Sequence, residues 1–239
     1  MNVASSLLLI SSLLAADVPS ACPLMQTLPP DGSWVSFDLR IDVDDREIRT
    51  VWMTRSVGQT SYKGKPCRFI ELEQTCDGPI EPVYGIVPIV NQCWRAVVPE
   101  EEFGEGKYPL GRALKVWVQT GQGTPEEVSS IAARDPLVDA LARGPAANLK
   151  IDNNPEKLAW QRGELMCDAL HGNNEIDFAG LTLRLEHRVL KNKQIPFGVA
   201  GTRQKITASF AGTDYPAGLK LTLRDYGQDA KAKLPELKP

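Results

Sequence analysis

His171 and His187 are the only imidazoles in the chain. Proton transfer near neutral pH or a histidine metal site would have to start from them. His187 falls on the apolar phase of a segment in which Leu181, Leu183, Leu185, His187 and Val189 alternate with Thr182, Arg184, Glu186 and Arg188. A buried, hydrogen-bonded core histidine explains that phase more simply than a catalyst does. Nothing in the spacing joins the two histidines to carboxylates. Gly58 to Lys65 is one residue too long for a phosphate loop, and Pro66 stands where magnesium needs a hydroxyl. Gly121-Gln122-Gly123 starts like a dinucleotide fingerprint, but Glu126 replaces its third glycine and would repel a pyrophosphate. Ser56 lacks the upstream glycine of a nucleophile elbow, because Thr54 stands there. Asp42, Asp44, Asp45 and Glu47 begin like a calcium loop, yet Arg46 takes a ligand position and Glu47 the glycine's. No catalytic, cofactor-binding or metal-binding residue is assigned. The chain reads as a protein that is not an enzyme.

Five cysteines carry a different chemistry: Cys22, Cys67, Cys76, Cys93 and Cys167, none in a Cys-x-x-Cys pair. Zinc ribbons and thioredoxin-like redox motifs are thereby excluded in their standard forms. Setting Cys22 aside leaves four cysteines and three possible disulfide connectivities. The expected pairing is Cys76 with Cys93 and Cys67 with Cys167, against the alternative of four buried free thiols. The first bridge would close a loop of about 16 residues, for which chain entropy gives roughly 3 kcal/mol.

Met1 to Ala16 carries no charge, and Leu7 to Ala16 is apolar except for two serines. That run is too short to span a bilayer but fits the apolar core of an export signal, cut between about residues 16 and 21. Val18-Pro19-Ser20-Ala21-Cys22 places small residues before a cysteine, so lipidation at Cys22 is the minor alternative. The expected location is periplasmic or extracellular, with no membrane span after signal removal. The 239 residues hold 27 Lys plus Arg against 30 Asp plus Glu, a formal net charge of -3. That balance argues against a nucleic-acid partner.

The elements around these residues are mostly strands. Val35, Phe37, Leu39 and Ile41 alternate with Ser36, Asp38 and Arg40, the pattern of a half-buried strand. Further strands are read over Ile48 to Val57, Cys67 to Leu72, Trp94 to Val98, Leu165 to Leu170, Leu181 to Val189, Thr202 to Phe210 and Leu219 to Leu223. In the middle, Leu110, Ala113, Leu114 and Trp117 recur at helical spacing. Thr124-Pro125-Glu126-Glu127 reads as a capped helix start, and Asp135-Pro136 as a second one. The expected class is α+β: a curved, mostly antiparallel sheet forming an incomplete barrel, with a short helical insert near 109–143 packed on it. The expected organisation is a signal over 1–21, a lead over 22–32, one β-rich domain over 33–229 and a flexible tail over 230–239. Val35, Phe37, Leu39 and Ile41 are expected to share an apolar face with Leu181, Leu183 and Leu185.

Trp34-Val35-Ser36-Phe37, Ser56-Val57-Gly58 through Gly64-Lys65-Pro66-Cys67-Arg68, and Ile195-Pro196-Phe197-Gly198-Val199 together resemble secreted bacterial proteins of unknown function. Those proteins are distantly similar to the periplasmic lipoprotein carrier and its outer-membrane receptor. The resemblance implies an incomplete antiparallel barrel whose apolar concavity is covered by short helices. It implies an acyl chain, a lipid or a lipidated protein as partner. No functional residue of the carrier maps onto this chain. The same strand pattern also suits an interaction domain with a filled core and no ligand.

Overall fold

The computed structural model describes residues 25–43, 46–76, 91–104, 107–131, 149–152, 154–178 and 181–237. Of these, the side chains of Val43, Asn174, Ile176, Asp177, Phe178, Leu181, Leu183 and Phe210 lie outside the description. The first half of the described chain is a meander of β1 (Trp34–Val43), β2 (Arg46–Tyr62), β3 (Lys65–Thr75), β4 (Gln92–Pro99), β5 (Lys115–Thr120) and β6 (Glu126–Val128). The second half contains β7 (Lys150–Ile151), β8 (Glu156–Trp160), β9 (Gly163–Phe178), β10 (Leu181–Lys191), β11 (Val199–Phe210) and β12 (Thr213–Gly227). They form one open antiparallel sheet in the order β6-β5-β4-β3-β2-β1-β12-β11-β10-β9-β7, with β8 paired to β9 off that path. The first and last long strands therefore meet in the middle, and each half of the chain builds outward from them.

The α+β expectation is corrected: the described chain is almost entirely antiparallel sheet, with only short 3-10 turns and no α-helical element. Of the proposed insert, residues 115–120 are β5 and 126–128 are β6. The proposed second helix at 135–143 lies outside the described residues. The reason lies in Val116-Trp117-Val118. Pairing with β4 sends Val116 and Val118 into the main core and Trp117 into a second cluster with Cys67 and Val97. A strand buried on both sides reads as a continuous apolar run, which periodicity alone cannot separate from a helix. Glu126 and Glu127 pair with Val118 and Trp117 at the sheet edge, where charged residues discourage edge-to-edge association.

Val35, Phe37, Leu39 and Ile41 all point to one side and are buried, as is Leu185, while Asp38, Arg40, Arg184 and Glu186 are exposed. Leu181 and Leu183 lie on β10 opposite Phe210 and Ala208. The register places Thr50, Trp52 and Thr54 of β2 and Leu219, Leu221 and Leu223 of β12 on the same side. This is the apolar face. Met25, Leu110, Ile131, Ile195 and Phe197 join its core from outside the strands. The 3-10 turn Pro196–Gly198 holds Phe197 at a φ of 65° with its side chain fully buried. Its carbonyl accepts the backbone N–H groups of Gln26 (2.8 Å) and Thr27 (3.3 Å), so the turn pins the lead segment. A side chain in the left-handed region is costly, and tight packing holds it there.

Candidate functional site

The proposed disulfides are not formed: neither Cys76 with Cys93 nor Cys67 with Cys167 is bridged. Register explains this. Cys93 stands opposite Glu73, three residues before Cys76 on β3, an offset of about 10 Å along a strand against a bridging limit of roughly 7 Å. Cys67 and Cys167 belong to different clusters on strands β3 and β9, with five strands between them. Burial beside Glu71 and Glu73 pushes the Cys93 thiol up to about 12, and burial also raises Cys67 and Cys167. These are core side chains that resist ionisation. Cys22 lies outside the described residues, as does the whole of the proposed signal.

The two histidines sit on opposite faces of the sheet. Nδ1 of His171 lies 2.6 Å from the Asp152 carboxylate on the exposed side, whereas His187 is buried on the apolar face. Desolvation lowers His187 to about 4, so it is neutral at physiological pH. Ser56 accepts a hydrogen bond from Arg68 at 3.2 Å, and Arg68 also donates to Glu100 at 2.9 Å. That buried guanidinium closes one end of the apolar face. Asp42 and Glu47, read as the start of a calcium loop, instead pair with Arg40.

The apolar face is not uniformly apolar. Gln92, Gln74, Trp52 and Phe37 stand in one cross-strand row over β4, β3, β2 and β1. Leu219, Gln204, His187 and Gly172 form another over β12, β11, β10 and β9. Among the described residues, buried polar side-chain atoms without a hydrogen-bond partner gather on this face. On it are Thr50 Oγ1, Thr54 Oγ1, Thr202 Oγ1, Trp52 Nε1, Trp94 Nε1, Gln74 Nε2, Gln204 Nε2, Gln92 Oε1 and both ring nitrogens of His187. Two more are Ser33 Oγ, ahead of β1, and Arg55 Nη1, 3.7 Å from Glu71 on the other side of the sheet. Each such atom costs about 1–3 kcal/mol while unpaired, and native domains hold few of them. Ordered water or a ligand's polar atoms would satisfy them. Sequence alternation identified the face; its polar rows emerge only once the register is known.

A third feature was missed by sequence reading. Glu71 of β3 is fully buried on the other side of the sheet, where Arg95 of β4 donates to it from Nη2 at 2.6 Å. The same carboxylate accepts the backbone N–H groups of Lys233 (2.8 Å) and Leu234 (2.9 Å), while Arg95 donates to the carbonyls of Leu234 (2.5 Å) and Pro235 (2.6 Å). The tail expected to fray is thus docked through residue 237, with Leu234 buried and Leu237 packed beside Cys67, Val97 and Trp117. The available signal was Arg95, the one charge in the run Trp94 to Val98, and Glu71 set between Ile70 and Leu72.

No protein-family model matches the chain, and no curated protein matches it. A solved structure from Bacteroides fragilis, described as a candidate exported protein with a YmcC-like fold, is 6% identical. The match covers 84% of this chain and 100% of that one, with a TM-score of 0.35. A likeness this slight carries no argument about fold or function. Among the described residues, no helix is long and apolar enough to cross a membrane.

Proposed function

We propose that the protein is an exported, non-enzymatic binding protein of the cell envelope. Its apolar sheet face receives a ligand with both apolar and hydrogen-bonding parts, such as an acyl chain or the lipidated end of a partner. One observation carries this reading: unpartnered buried donors and acceptors gather in rows on a face otherwise made of Leu, Ile, Phe and Trp. A purely structural core would be cheaper with apolar residues at those positions. The apolar run Leu7 to Ala16 supports export, and Cys22 offers the alternative of a lipid anchor. The second reading is a structural or interaction domain with a filled core. The near-complete burial of Val35, Phe37, Leu39 and Trp94 favours it.

Uptake of a fluorescent fatty acid by delipidated protein separates the two. A binding protein takes it up saturably, with a change in Trp52 and Trp94 emission. The paired replacement of Gln204 and His187 by Leu then weakens uptake while preserving the fold. A filled core gives no uptake and no emission change. Intact mass of natively produced protein tests export: the N-terminal segment should be missing, and a whole chain recovered from cytoplasm would contradict it.

A further inference from the structure

A second kind of row crosses the opposite face. The registers set Arg49 opposite Arg40, Arg40 opposite Lys220, Lys220 opposite Arg203, and Arg203 opposite Arg188. One cation therefore stands on each of β2, β1, β12, β11 and β10, although like charges directly opposite one another repel. The ends of the row are compensated. Glu47 pairs with both Arg49 and Arg40, Asp42 pairs with Arg40 at 2.8 Å, and Arg188 reaches Glu156 (2.5 Å) and Asp152 (3.3 Å). The centre is not compensated. Lys220 and Arg203 are exposed, and neither makes an ion pair or a side-chain hydrogen bond among the described residues.

Beside that centre lies a groove of 490 Å³ along β1, β2 and β12. Arg40, Arg49, Lys220 and Arg224 line it together with Thr222, and its one carboxylate, Asp38, has Arg224 at 3.4 Å. Arg40 and Arg49 are already paired with Asp42 and Glu47, and Arg224 with Asp38, so Lys220 is the groove cation left open to an incoming anion, with Arg203 next to it in the row.

We propose that this row and groove bind an acidic polysaccharide, laid across the strands with one singly charged group per sugar. Adjacent strands lie about 4.8 Å apart, so the five cations span roughly 19 Å, beyond the reach of a single small anion. A pyranose ring advances a glycan chain by a comparable distance, which sets successive acidic groups against successive strands. Guanidinium forks suit carboxylates, and the Thr222 hydroxyl adds a donor and acceptor for sugar hydroxyls. Single-stranded nucleic acid fits less well, since neither the row nor the groove lining contains an aromatic platform for stacking.

The test measures binding of the full chain to polygalacturonate at low salt, with neutral dextran, oligothymidylate, inorganic phosphate and anionic lipid vesicles as parallel probes. Polygalacturonate should bind and be released by added salt, with the other probes bound at least about tenfold more weakly. Lys220→Glu with Arg203→Glu should weaken binding by more than about tenfold. The neutral pair Lys220→Gln with Arg203→Gln should lie between that variant and the native chain. Arg112→Glu, an exposed cation off the row, should change affinity by less than about twofold. No binding by the native chain, undiminished binding by both paired variants, or tighter binding of any parallel probe would overturn the proposal.

Discussion

The two faces of this sheet are built by the same strands and solve opposite problems. On one, Val35, Phe37, Leu39 and Ile41 are withdrawn from water together with unpaired Thr, Gln, Trp and His groups. On the other, charges dominate, and the buried carboxylate of Glu71 is fully engaged, although Nη1 of Arg55 stays 3.7 Å from it without a hydrogen bond. Glu71 and Arg95 satisfy one another and also hold the backbone of residues 233–235. Burial alone therefore does not separate structure from function here; the contrast is between the saturated Glu71–Arg95 pair and the open rows. The satisfied pair belongs to the scaffold, and the unsatisfied rows belong to the candidate site.

The largest expected effect lies on the satisfied side. Glu71→Ala leaves Arg95 charged, buried and without its main partner, so stability should fall by about 3–5 kcal/mol. Amide exchange of Lys233 and Leu234 should accelerate with it. Unchanged denaturant midpoints and protected tail amides would mean that the pair does not hold the tail. Phe37→Ala compares the apolar face on the same scale. If that face is packed solid, the loss is about 3–5 kcal/mol; if Phe37 borders space for a ligand, the loss is smaller and acyl uptake falls.

His187 sharpens the contrast through pH. Its imidazole is held at about 4 in the folded protein against an ordinary value near 6.5. The unfolded chain therefore takes up a proton that the native state refuses. This contribution to stability is complete above pH 6.5 and is lost as the pH falls through about 4. Comparing unfolding free energies at pH 7.5 and 4.5 should show about 2–3 kcal/mol more loss for the native chain than for His187→Leu. Equal losses would mean that His187 is hydrated and can hold its charge.

The smallest effects mark the charged face and the thiols. Asp38→Ala should shift stability by no more than about 0.5 kcal/mol, since its Arg224 pair is exposed. Mass mapping after mild alkylation should modify Cys76, which is half-buried, well before Cys67, Cys93 and Cys167. Early modification of Cys93 would contradict the packing around β4.

Much of this was legible in the sequence wherever one face was wet. The alternation at Trp34–Val43 assigns an inside and an outside without any tertiary information, because strand side chains point to opposite sides by turns. It failed where both faces are dry. Val116-Trp117-Val118 has no polar phase, so a helical spacing from Leu110 to Trp117 looked equally good. The tail and the thiols failed for a different reason. Glu71 meets Leu234 across 163 residues, and the offset of Cys76 from Cys93 depends on the β3–β4 register. Neither is encoded locally. The polar rows of the apolar face have the same origin: Gln204 and His187 come together only when β10 and β11 are in register.

Native mass spectrometry of the protein purified gently from the cells that make it tests the central claim most directly. The account predicts a non-covalent adduct of lipid mass, lost on solvent extraction and absent from the chain in which both Gln204 and His187 are replaced by Leu. A bare polypeptide mass, with fatty-acid addition producing no complex, would contradict it and leave the apolar face as a core.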